Sequence, residues 1–97
     1  MRRKEENIKP VPIFDCHQLG TNVSLHFLTD LLTEEILACQ QTNNHYLQII
    51  VGKGLHSKDN EPVLIYRVRR ILNDFVKSGF ITNYTDNTTN GYLIIYF

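Results

Sequence analysis

Apolar residues along the chain follow two periods. Residues 12–16, Pro-Ile-Phe-Asp-Cys, form a short apolar run that predicts a first strand. After a loop containing Gly20, Leu25, Leu28, Leu32, Ile36 and Cys39 recur at steps of three and four, which predicts a first helix capped by Asn22 or Ser24. Phe27, Leu31 and Ala38 make a second, weaker stripe on another face of that helix, to be covered by the N-terminal arm, a neighbouring helix or a partner. A polar loop at 40–44 leads to residues 46–51, a nearly continuous apolar run, as expected of a strand covered on both faces. The long helical connection makes these two strands parallel. Pro62 suits the first turn of a second helix, Leu64, Val68, Ile71, Leu72 and Phe75 give it a core face, and Gly79 ends it. Residues 80–84 and 92–97 are rich in β-branched and aromatic side chains, and the turn-forming stretch 85–91 between them predicts a hairpin.

The resulting order, β-α-β-α-β-β, predicts a compact two-layer α/β domain with a mixed four-stranded sheet and two helices. Residues 1–11, charged and proline-flanked, read as a flexible arm, and residues 12–97 as the domain. A chain of 97 residues with 42% hydrophobic and 21% charged content suits one globular domain with a modest core and excludes a disordered chain. Formal net charge is zero, which excludes binding to nucleic acid through a whole-protein field. Such contacts have to be local, and the bases are clustered: Arg67, Arg69 and Arg70, then Lys53 and Lys58, then Arg2, Arg3 and Lys4. Two isolated cysteines, Cys16 and Cys39, indicate neither a zinc site nor a disulfide framework and favour a reducing compartment. No apolar run is long enough for a membrane span and the polar N-terminus shows no secretory signal, so the cytosol or nucleus is expected.

Candidate chemistry follows from the strand ends. In an extended strand Asp15 and His17 project to one side while Cys16 turns away. The second strand runs into Gly52-Lys53-Gly54, where the glycines permit close backbone approach and the lysine supplies charge. Ligands of open α/β sheets bind beyond the carboxyl ends of parallel strands, where these two motifs should meet. Helical spacing sets Arg69 on a flank beside Ile65 and Val76, with Arg67 and Arg70 nearer the polar side. Each feature also has a plainer explanation. Asp15 caps a turn and His17 bonds to backbone, Gly52-Lys53-Gly54 is an ordinary turn, and the arginines line a solvated helix face. No further carboxylate or histidine at ligand spacing completes a metal site around Asp15 and His17.

The two motifs, in this order and frame, resemble those of the Smr (small MutS-related) domain, a family of nucleic-acid-acting α/β domains of about this length. The resemblance spans residues 12–97. The family's Asp-Leu-His-Gly reads Phe14-Asp15-Cys16-His17-Gln18 here, keeping Asp and His and replacing Leu and Gly. Its Gly-Lys/Arg-Gly is Gly52-Lys53-Gly54, and Leu55-His56-Ser57 looks like the Asn-His-Ser of many eukaryotic members. Pro62-Val63-Leu64 and the stretch 68–72 match the start of the family's second helix. The resemblance implies a cytoplasmic, monomeric RNA endonuclease that cleaves messenger RNA on stalled or collided ribosomes, with no membrane partner. It implies catalytic roles for Asp15 and His17 and nucleic-acid contacts through Gly52, Lys53, Gly54, His56 and Ser57. Helical spacing, not the resemblance, favours Arg69 as the catalytic arginine, and the position of the cluster beside these loops adds Arg67 and Arg70 as nucleic-acid contacts. Neither a metal nor another cofactor is called for. The alternatives are a non-catalytic RNA- or ribosome-binding module and a DNA-nicking endonuclease.

Overall fold

The computed structural model describes residues 12–19, 23–52 and 63–97. Strand β1 is Ile13–Asp15, helix α1 Leu25–Gln41, β2 Tyr46–Ile50, α2 Val63–Ser78, β3 Asn83–Asn87 and β4 Tyr92–Tyr96, with short 3₁₀ turns at Cys16–Leu19 and Thr88–Asn90. The sheet order is β1-β2-β4-β3; β1 and β2 are parallel, and the other two pairings are antiparallel. This is the mixed four-stranded α/β architecture expected.

Capping chemistry sets the helix limits. Ser24 Oγ accepts the Phe27 amide at 3.0 Å at the start of α1, fixing Ser24 rather than Asn22 as the cap. At its end Asn43 adopts a left-handed φ of 63°, and the amides of Asn43 and Asn44 donate to the carbonyls of Gln40 and Cys39. Helix α2 ends the same way around Gly79 (φ +82°): Gly79 and Phe80 donate to Val76 and Phe75, and the Phe75 and Phe80 rings meet edge-on with centroids 5.0 Å apart. Both ends are Schellman closures, which satisfy carbonyls the helix itself cannot.

One core holds the two layers together. Leu28, Leu32, Ile36 and Cys39 of α1 and Leu64, Ile65, Val68, Ile71 and Leu72 of α2 are buried against Leu47, Ile49, Leu93 and Ile95 of the central strands. Leu25 and Phe75 pack at its margin. On α1, Phe27 and Ala38 are exposed and Leu31 is half-buried; any cover from residues 1–11 lies outside the described residues.

Three sequence expectations are corrected. Strand β2 is covered on one face rather than two: Leu47 and Ile49 are buried, whereas Tyr46 is exposed and Gln48 and Ile50 are half-buried. Both helices pack on the same side, so the strand alternates, and Ile50 had masked that period in the sequence. Strand β1 stops at Asp15 instead of including Cys16, because the Asp15 carboxylate takes the His17 amide and turns the chain. Strand β3 runs three residues later than residues 80–84, because Phe80 belongs to the α2 closure and the turn contracts to Thr88–Gly91. Asp86 and Asn87, turn-formers by type, are held in the strand by side-chain bonds: Asp86 to Arg69 and Thr88, Asn87 to the Tyr92 hydroxyl.

The registers place three rows of side chains on the open face. Nearest the carboxyl ends of β1 and β2 are Asp15, Ile50, Tyr92 and Asn87. Ile13, Gln48, Ile94 and Thr85 follow, and Tyr46, Tyr96 and Asn83 form the far row.

Candidate active site

The carboxyl ends of β1 and β2 lie side by side, with Asp15 opposite Ile50. Asp15 Oδ1 accepts the His17 main-chain amide at 2.9 Å, an Asx-type turn that ends β1 and starts the 3₁₀ turn. Strand alternation therefore does not carry past Asp15, and the Asp15–His17 pairing arises from this bond rather than from a shared strand face. Cys16 swings fully into the core, where burial, with lesser contributions from Asp15 and Glu35, pushes its thiol up to about 12. It is a packing residue and no nucleophile.

The turn leaves the His17 side chain exposed, and its imidazole lies against the backbone of Gly52. A Cβ on Gly52 would stand 2.6 Å from His17 Cδ2 and 3.3 Å from Nε2, and Gly52 has a φ of +80°. Glycine is needed there for the backbone conformation and for the ring that rests on it. The two sequence motifs thus meet in van der Waals contact. The amides of Val51 and Gly52 both donate to the Gly91 carbonyl, at 2.8 and 3.1 Å, which brings the β3–β4 turn to the same edge.

That turn anchors Arg69. Arg69 Nε donates to Asp86 Oδ2 at 2.7 Å and Nη2 to Thr88 Oγ1 at 2.7 Å, while Asp86 Oδ1 accepts the Thr88 amide (3.1 Å) and hydroxyl (2.8 Å). Nη1 has no partner among the described residues. Burial pushes the Asp86 carboxyl up, but bonds from Arg69 and Thr88 and the Arg69 charge outweigh it and hold the group below its ordinary value. A depressed folded-state value means a stabilisation present above the unfolded value and lost as pH falls through the folded one. Asp86→Asn should accordingly lower stability by about 1 kcal/mol at neutral pH, the scale of a half-exposed pair. Chemical denaturation below about pH 4 should show the gap between wild type and variant closing.

The remaining arginines are placed differently. Arg67 donates through Nη1 to the Val23 carbonyl just before α1, tying the amino-terminal parts of the two helices together. Arg70 is exposed. Lys53, Gly54, His56 and Ser57 lie outside the described residues. Among the described residues no group of three or more His, Cys, Asp or Glu could hold a metal ion, and no helix is long and apolar enough to cross a membrane.

Asp86, Thr88 and Gly91 were absent from the sequence-derived site. Asp86 and Thr88 read as turn residues, and only the flank position of Arg69 hinted that its partner would come from another element. Compared with protein-family models, curated proteins and solved structures, the chain gives no match.

Proposed function

We propose that this chain is an Smr-like RNA endonuclease domain that cuts messenger RNA on stalled ribosomes in the cytoplasm. The observation that carries the reading is the contact of the His17 imidazole with Gly52, which joins the two motifs at the edge where Arg69 is also anchored. His17 is the general base: it takes the proton of a ribose 2′-hydroxyl as that oxygen attacks the adjacent phosphorus. The P–O5′ bond breaks, the departing 5′-oxygen is protonated by water, and the 5′ fragment ends in a 2′,3′-cyclic phosphate while the 3′ fragment begins with a 5′-hydroxyl. Asp15 positions His17 through its main-chain amide, and Arg69 offers Nη1 to the non-bridging oxygens as charge builds on them. Lys53, by the resemblance, adds a second cation.

The second reading is a non-catalytic RNA- or ribosome-binding module. It is favoured by the structural bonds that Asp15 and Arg69 already make, to the His17 amide and to Asp86. Incubating the purified chain with labelled single-stranded RNA and DNA separates the two. Cleavage of RNA with DNA spared is expected; RNA bound and left intact would put the binding module ahead.

A further inference from the structure

We infer that the open face of the sheet is a stacking platform for the unpaired bases of a single-stranded RNA whose backbone passes the Asp15–His17 edge. The inference deepens the nuclease reading by fixing substrate strandedness, and it rests on that reading for the identity of the polymer.

Three tyrosines stand on the two central strands of this face: Tyr46, Tyr92 and Tyr96. Their rings are held in place. Tyr92 Oη accepts Asn87 Nδ2 at 2.7 Å and Tyr96 Oη accepts Thr85 Oγ1 at 3.2 Å, so both phenols lean across β3. Tyr46 meets Tyr96 at 72° with centroids 6.5 Å apart, making a corner of one ring against another. Tyr46 and Tyr96 remain 40% and 36% exposed, so these rings keep surface for a ligand. Rings fixed before binding lose little entropy on stacking.

Charge and size select the occupant. Asp15 is the one acidic side chain on the three rows and no basic one lies among them, so the face suits neutral bases rather than phosphates. Amide and hydroxyl groups of Gln48, Asn83 and Thr85 flank the rings and can meet base edges. Central strands of five residues, with neighbours about 4.8 Å apart, give a platform about 15 Å on a side. That is far below the roughly 800 Å² per partner of a stable protein interface, yet it fits the two or three bases that a four-stranded sheet stacks. Tyr92 lies in the same row as Asp15, so a strand stacked there arrives at His17 without crossing another element.

The test is binding of a short fluorescent single-stranded RNA to the full chain, with fold checked by circular dichroism. Tyr46→Leu and Tyr96→Leu should each weaken binding by about 5- to 150-fold, the usual worth of one stacked base, and Tyr96→Phe should stay near wild type. A duplex of the same sequence should bind far more weakly, since its bases offer no free face. Wild-type affinity in a folded Tyr46→Leu/Tyr96→Leu double variant would overturn the inference and leave the nuclease reading intact. A dimer in solution that the same substitutions dissociate would also overturn it and assign the face to a second copy. Tyrosine-dependent binding without cleavage would sustain the platform and remove the nuclease.

Discussion

Replacing His17 by Ala should lower the rate of RNA cleavage by about 10²–10⁴-fold, the usual contribution of a positioned general base. RNA affinity should change little, because a single imidazole adds little to holding a polyanion. Stability should shift by no more than about 0.5 kcal/mol, since the side chain is exposed. Arg69→Ala should behave differently and lose both affinity and rate, with some stability, because the same guanidinium secures the β3–β4 turn. Asp15 separates positioning from proton transfer. Asp15→Asn keeps an oxygen that can accept the His17 amide and should retain most of the activity, whereas Asp15→Ala releases the turn and should not. Single-turnover rates set beside binding constants for these four variants read each effect separately. An unchanged rate for His17→Ala would remove His17 from the chemistry.

Gly52→Ala should cost about 10²-fold in rate, the scale expected when a catalytic group is displaced by about 1 Å. The new methyl group would lie 2.6 Å from the His17 ring, and the ring, exposed at the surface, is the part able to move. Gly79→Ala supplies the control. Its φ of +82° matches the +80° of Gly52, but nothing lies within 4 Å of the added carbon. Both variants carry the same left-handed backbone penalty, about 1–2 kcal/mol, so their denaturation midpoints should fall together. Only Gly52→Ala should lose cleavage. Equal activity in the two would mean that the imidazole can leave Gly52 without consequence.

The contrast between these glycines also shows which parts of the molecule were legible in the sequence. Gly79 was readable because it follows an apolar stripe at helical spacing, and such a stripe is interpreted one element at a time. The core positions of both helices were readable for the same reason, and the parallel β1–β2 pairing from the long helical connection between the two strands. Gly52 was recognisable as a loop glycine, but its contact with His17 depends on two strands becoming neighbours. The Asp15–His17 relation was expected from strand alternation and arises instead from an Asx-type bond. That bond is local, yet it competes with a strand of the same residues, and the sequence does not say which prevails. Asp86 shows the wider difficulty. Its neighbours are turn-formers, and beside its bonds to Thr88 it takes the salt bridge to Arg69, from a helix seventeen residues earlier, to hold it in β3. The open face was concealed by Ile50 and Ile94, whose apolar side chains fill out runs that would otherwise alternate with tyrosine and glutamine tips.

On the proposed mechanism, one edge of this sheet cuts RNA by activating the 2′-hydroxyl next to the broken bond. The most direct measurement maps the cut in a labelled single-stranded RNA, then repeats the reaction with one 2′-deoxynucleotide on the 5′ side of that bond. This substitution should abolish cleavage there while binding persists, and the all-RNA products should end in a 2′,3′-cyclic phosphate and a 5′-hydroxyl. Undiminished cutting at the deoxy position, or products ending in 3′-hydroxyl and 5′-phosphate, would contradict that mechanism.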